Sequence, residues 1–112
     1  KVHACTDPHN PPTEINDRAR DVVDLLLLRE FTETSGTLSL AKIRAAIIDV
    51  FASRANDARS TGSSPRAWPT TVTAHEHWAA SFAPAAQSAG VTVTLSDAVD
   101  QLNAWLETID NA

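Results

Sequence analysis

Apolar residues recur along most of this chain at the spacing of one helix face. Counting from Leu40, the residues Ile43, Ile47, Val50 and Phe51 form a single stripe, which predicts a helix over about 39–56. Leu95, Val99, Leu102, Trp105, Leu106 and Ile109 form a second stripe and predict a final helix capped at Thr94 or Ser96. Between them, Trp78, Phe82 and Ala85 face inward on a helix opened by Thr73 with Glu76 three residues later, in the manner of a capping box, and closed by Gly90. The first helix is different, because Val22, Val23, Leu25, Leu26, Leu27, Leu28 and Phe31 make it apolar nearly all round. A cap at Thr13 or Asn16 starts it, it runs to about Thr32, and Gly36 ends it.

The intervening segments read as loops. Asp7-Pro8 and Asn10-Pro11-Pro12 exclude helix from residues 1–12. Residues 57–73 carry Ser-Thr-Gly-Ser-Ser-Pro and then Arg66-Ala67-Trp68-Pro69, a long Pro/Ser/Trp loop with an aromatic anchor. Val91-Thr92-Val93-Thr94 alternates like a strand but has no partner strand. The pattern as a whole predicts an all-α protein, a compact bundle of about four helices in a single domain spanning residues 1–112.

Composition narrows the function classes. No apolar run approaches the roughly 18 residues of a membrane-spanning helix, and no signal peptide is visible. A single cysteine, Cys5, excludes an intramolecular disulfide and fits a reducing cytoplasm. The chain opens on lysine and contains no methionine, from which we expect a fragment of a longer protein. Residues 1–56 hold seven Lys/Arg against eight Asp/Glu, and residues 57–112 hold two against six. An acidic C-terminal half without a basic recognition helix argues against a DNA-binding domain.

Chemistry concentrates at the start. Lys1 and the run Arg18-Ala19-Arg20-Asp21-Val22-Val23-Asp24 place three cations and two carboxylates around a Pro-rich loop and the opening of an apolar helix. Such mixed clusters are the material of phosphate-handling sites. At about 100° per residue, Asp21 shares a direction with Leu25 and Leu28, and Asp24 lies beside Phe31. Arg18 can bridge to Asp21 at i,i+3 and Arg20 to Asp24 at i,i+4, so ordinary helix ion pairs are the simpler reading of the same residues.

Lys1, a spacer of about sixteen residues, Arg18-Ala19-Arg20-Asp21 and then Asp24 resemble the C-terminal motifs of abortive-infection nucleotidyltransferase toxins of the AbiEii/AbiGii type, in the polymerase-β-like superfamily. The leucine-rich helix that follows, Val50-Phe51-Ala52-Ser53-Arg54, the Pro65/Trp68-Pro69 loop, the Trp78 helix and a last helix opening on Leu95-Ser96-Asp97-Ala98-Val99 also look like that family. The resemblance implies a helical C-terminal portion of a phage-defence toxin. Lys1, Arg18, Asp21 and Asp24 would take catalytic roles, and Lys1, Arg18 and Arg20 would bind nucleotide. Arg20 stands where the family usually has lysine. The family's Gly-Ser and Asp-x-Asp elements are missing from this sequence. Mg²⁺ and a nucleoside triphosphate are therefore implied only for a full-length enzyme, and no cofactor for this chain alone. The implied partners are an N-terminal catalytic domain, a cognate antitoxin and an RNA acceptor such as tRNA.

The alternative is a freestanding helical protein-interaction module that binds through the Trp68-Pro69 loop or an exposed stripe of the last helix. Other constellations are weaker. His3, Cys5 and His9 lack a fourth zinc ligand. His75-Glu76-His77 is not a metalloprotease pattern, and histidines two apart diverge on a helix. Trp68, Trp78 and Trp105 read as core anchors rather than stacking platforms, and no Gly-rich phosphate cradle exists among three glycines.

Overall fold

A computed structural model describes residues 1–36 and 39–112. Its elements are α1 (Val2–Cys5), α2 (Ala19–Ser35), α3 (Leu40–Thr61), a 3₁₀ turn (Glu76–Trp78), α4 (Ala79–Ala89) and α5 (Leu95–Asp110). Four of the five α-helices are longer than one turn, and no strand occurs among the described residues. The molecule is a slab of 40 × 34 × 18 Å, thin enough to be about two helix layers. Helix α2 packs on α4, α5 and α1, whereas α3 lies at the edge against α5 and α1.

The predicted stripes of the Trp78 helix and the last helix supply much of the core, with Ala86 buried where Ala85 was expected, whereas of the α3 stripe only Phe51 is fully buried. Trp78, Phe82 and Ala86 on one side meet Val99, Leu102, Leu106 and Ile109 on the other, with Val22, Val23, Leu25 and Leu26 between them. Gly36, Gly62 and Gly90 end α2, α3 and α4 in the left-handed conformation, where a Cβ would be strained. Ser39 and Thr94 cap α3 and α5 by accepting from the Lys42 and Asp97 amides, so Thr94 rather than Ser96 opens the last helix.

Several boundaries differ from expectation. Residues 2–5 form a helical turn inside the predicted 1–12 loop, because Val2 and Cys5 bury their side chains against the bundle. Helix α2 begins at Ala19, later than a cap at Thr13 or Asn16 would set it. Helix α3 continues past Asn56 to Thr61, since nothing before Gly62 breaks it. The Thr73/Glu76 capping box does not form; His75 opens a 3₁₀ turn without a side-chain cap, and that turn leads into α4. Val91–Thr94 is irregular connection between helices. Phe31 is 57% exposed and Val50 46%, because α3 buries only Phe51 and Ala55 fully and leaves one side of α2 uncovered.

The late start of α2 has a specific cause. Asn16 is 1% exposed, and all of its polar groups are bonded. Its Nδ2 donates to the Cys5 carbonyl at 3.1 Å and the Asp7 carbonyl at 2.7 Å, and its Oδ1 accepts from the Arg18 amide at 3.1 Å. Its own amide donates to His9 Nδ1 at 3.1 Å. Its carbonyl accepts from His77 Nε2 at 2.7 Å and Trp78 Nε1 at 2.7 Å. A helical Asn16 could not serve these partners together. Residues 1–18 thus form a strap across the bundle, fastened a second time by Arg66, which donates to the His3 carbonyl and Thr6 Oγ1 and pairs with Asp7 Oδ1 at 2.7 Å.

Replacing Asn16 by alanine removes two donors and an acceptor and strands the Cys5 and Asp7 carbonyls. At about 1–3 kcal/mol per buried unsatisfied group, Asn16→Ala is expected to cost roughly 3 kcal/mol or more of folding stability. Urea unfolding of the two proteins measures this, and a loss below about 1 kcal/mol would refute the role given to Asn16.

Candidate functional site

The short α1 turn decides where Lys1 goes. Val2 and Cys5 anchor the turn against α2 and α3, and the Lys1 side chain then lies across the first turns of α2. There Asp21 and Asp24, three apart, present carboxylates to one side. Lys1 Nζ sits 3.2 Å from Asp21 Oδ1 and 2.9 Å from Asp24 Oδ2. Arg18 Nη1 approaches Asp21 Oδ2 at 3.9 Å, an ion-pair distance but too long for a strong hydrogen bond. The i,i+3 pair expected from the sequence therefore forms. The i,i+4 pair between Arg20 and Asp24 does not, because Lys1 takes Asp24 instead.

Arg20 points elsewhere. Among the described residues it makes no ion pair, and it lines an open groove of about 460 Å³ between α2 and α4 with Val23, Asp24, Pro84, Ala85, Ser88 and Ala89. The fold thus gathers Lys1, Arg18, Asp21 and Asp24 and leaves Arg20 on the neighbouring surface.

Burial grades the cluster. The Asp21 side chain is 11% exposed, while those of Lys1, Arg18 and Asp24 are about half exposed. Asp21 also lies in the first turn of α2, where the helix dipole favours a negative charge. Hydrogen bonds to Asp24 and Asp21 raise the Lys1 ammonium above its ordinary value, so it stays charged throughout the neutral range. Lys1 is an electrostatic group here and not a base. An ammonium has three N–H donors, and two are used by the carboxylates, leaving one for a ligand.

No group of three His, Cys, Asp or Glu side chains among the described residues is placed to bind a metal ion. Asp21 and Asp24 are committed to Lys1, and two such carboxylates fall short of the octahedral oxygen set that Mg²⁺ demands. Cys5 beside the cluster is 1% exposed, and burial pushes its thiol up to about 12. It is a packing residue whose Sγ faces the Arg18 carbonyl at 3.8 Å.

Two further features were not legible in the sequence. His75 precedes the 3₁₀ turn in extended backbone, so the divergence expected of helical neighbours does not apply; its ring and that of His77 both meet His9. An apolar groove of about 360 Å³ runs from Lys1 and Val2 between Leu25 and Leu28 of α2 and Ile43, Ile47 and Val50 of α3. No stripe on a single helix shows such a groove, since it exists only between two.

The raised Cys5 and Lys1 values carry a sign. Both groups keep their protons longer in the folded chain, so their stabilisation is whole at neutral pH and is lost as the pH rises above about 9–10. With the Cys5 thiol moved from 9.0 to about 12, the folded chain holds about a thousandfold less thiolate than the unfolded chain. Alkylation at pH 8 is therefore expected to be at least a hundredfold slower without urea than with it; equal rates would contradict this burial. The chain matches no protein-family model, no curated protein and no solved structure.

Proposed function

We propose that this chain is the helical C-terminal portion of a nucleotidyltransferase toxin from a toxin–antitoxin, phage-defence system. It lends Lys1, Arg18, Asp21 and Asp24 to a composite site completed by a catalytic domain, and it is inactive alone. One observation carries the reading: a half-exposed ammonium held between two carboxylates that lie about twenty residues away in sequence. A free lysine samples many rotamers. Lys1 is aimed, and a cation preorganised toward developing phosphate charge is what nucleotidyl transfer requires.

The roles follow from position. Lys1 donates its remaining N–H to a phosphate oxygen, and Arg18, half exposed and loosely paired, adds a second positive charge. Asp21 and Asp24 act through Lys1 and are positioning residues. Arg20 extends the positive surface into the groove beside Asp24, where the rest of a bound nucleotide or its acceptor would lie. The metal and the carboxylates that hold it belong to the catalytic domain, which supplies the electrophilic chemistry when loaded. Such an enzyme works in the cytoplasm on an RNA acceptor, and no helix among the described residues is long and apolar enough to cross a membrane.

A second reading, a protein-interaction module, is favoured by the exposed Leu27, Leu28 and Phe31 on α2 and by the apolar groove that Leu28 and the exposed Val50 line. The two readings separate on activity. In the full-length protein, Lys1→Ala is expected to lower the rate of labelled-nucleotide transfer to a tRNA pool by about 10²–10³-fold, and Asp21→Ala by at least tenfold. The isolated chain should transfer nothing. Unchanged transfer with Asp21→Ala would remove the catalytic reading and leave the interaction module.

A further inference from the structure

Outside the Lys1 cluster, three histidines from two remote segments come together. The rings of His9 and His77 lie parallel with centroids 4.1 Å apart, and His75 stands 5.3 Å from His9 and 5.8 Å from His77. Two of the rings have defined tautomers. His9 Nδ1 accepts from the Asn16 amide and therefore carries no proton, whereas His77 Nε2 donates to the Asn16 carbonyl and therefore carries one. Asp17 Oδ1 faces His77 Nε2 at 3.0 Å. The edge of His75 meets the buried Trp78 ring at 5.1 Å. Asp17 is the carboxylate paired with this group, and the charged neighbours that act on His75 are His9 and His77.

The lone pairs argue against a metal. His9 spends Nδ1 on the backbone and His77 spends Nε2–H on a carbonyl and a carboxylate, so the three rings offer no convergent set of free nitrogens. We propose that the His9–His75–His77 stack is an acid-sensitive latch, closed at neutral pH and opened on acidification, that fastens the N-terminal strap to the segment leading into α4.

The response to acid follows from the contacts. Asp17 faces His77 Nε2 at 3.0 Å, so a positive charge on that ring would meet a carboxylate. A proton on His9 Nδ1 puts N–H against the Asn16 N–H and breaks that bond. A second positive ring in a stack this close is repelled by the first. His75 points the same way: burial first, then its two neighbouring rings, hold it below the ordinary imidazole value. The sign is fixed by linkage. For His75 the unfolded chain takes up its proton near the usual histidine value before the folded chain does, so the stability tied to that ring is lost as pH falls below about 6.5. Opening frees the Asn16 carbonyl from His77 and Trp78, and Trp78 then meets water.

His3 is also held low, by burial and then by Arg66, and acts in the same direction. The test therefore compares proteins that all retain His3. Wild type and the double variant His9→Asn/His75→Gln are followed from pH 8 to pH 5 by melting temperature and tryptophan emission. The His9→Asn change keeps an acceptor for the Asn16 amide but takes up no proton. In wild type the melting temperature is expected to drop by roughly 5 °C or more between pH 7.5 and 5.0, with emission shifting to the red; the double variant should lose at least half of that response. Equal responses in the two proteins, or a flat wild-type profile, overturn the latch. If the variant does not fold at pH 7.5, the Asn16 amide and Trp78 indole resonances of wild type decide instead. They must shift in step with the His75 titration, and resonances unmoved to pH 5 overturn the proposal.

Discussion

Asn16 is the constraint from which most of the architecture follows. A buried side-chain amide is tolerated only when its donors and acceptors are all met, and that of Asn16 meets them from three places, α1, the loop after it and the start of α2, while its backbone carbonyl binds the turn before α4. Those bonds fix the strap and delay α2. They also set the Trp78 indole, 0% exposed, at the base of the core. Apolar packing between α2, α4 and α5 supplies the bulk of the stabilisation, but it is non-directional and would accept many placements of the first eighteen residues. The polar hub selects one.

That selection is also what assembles the charged site. With the strap fixed at Asn16 and again at Arg66, the α1 turn can only lie against α2 and α3, and Lys1 is delivered to Asp21 and Asp24. Asp21 could not sit nearly buried without such a partner, since an unpaired carboxylate in that position would be costly. Lys1 and Arg18 therefore explain how two carboxylates come to share a side of an otherwise apolar helix. The edge position of α3 has the opposite effect. It covers little of α2, and it leaves an apolar groove and the Phe31 side open beside the cluster.

The legibility of each part depends on the range of the interaction behind it. The stripe on α5 needed only neighbours three and four residues away, and all but Leu95 of it is buried. Gly36 and Gly90 stopped helices where expected because a left-handed residue is a local requirement. The capping box at Thr73 failed because a contact 62 residues distant, Trp78 with the Asn16 carbonyl, fixed the geometry of that turn. Phe31 was expected inside because a helix apolar on all sides looks buried, and Val50 because it falls on the α3 stripe, yet burial also depends on how many neighbours arrive. Arg20 and Asp24 had the spacing to pair, but a stronger competitor came from residue 1.

The sequence by itself determined the helices, their glycine stops and most of the core, since these rest on periodicity and on backbone preferences within a few residues. It also contained every residue of the charged cluster and of the histidine stack. Only the tertiary structure decided that Lys1 meets both aspartates, that Arg20 stands apart, and that three histidines from two segments converge. Those relations join residues that can be 60 or more positions apart, as His9 and His77 are, and no local preference encodes them. They arise when buried polar groups must find partners in a closed core, a condition met only after the whole chain has folded.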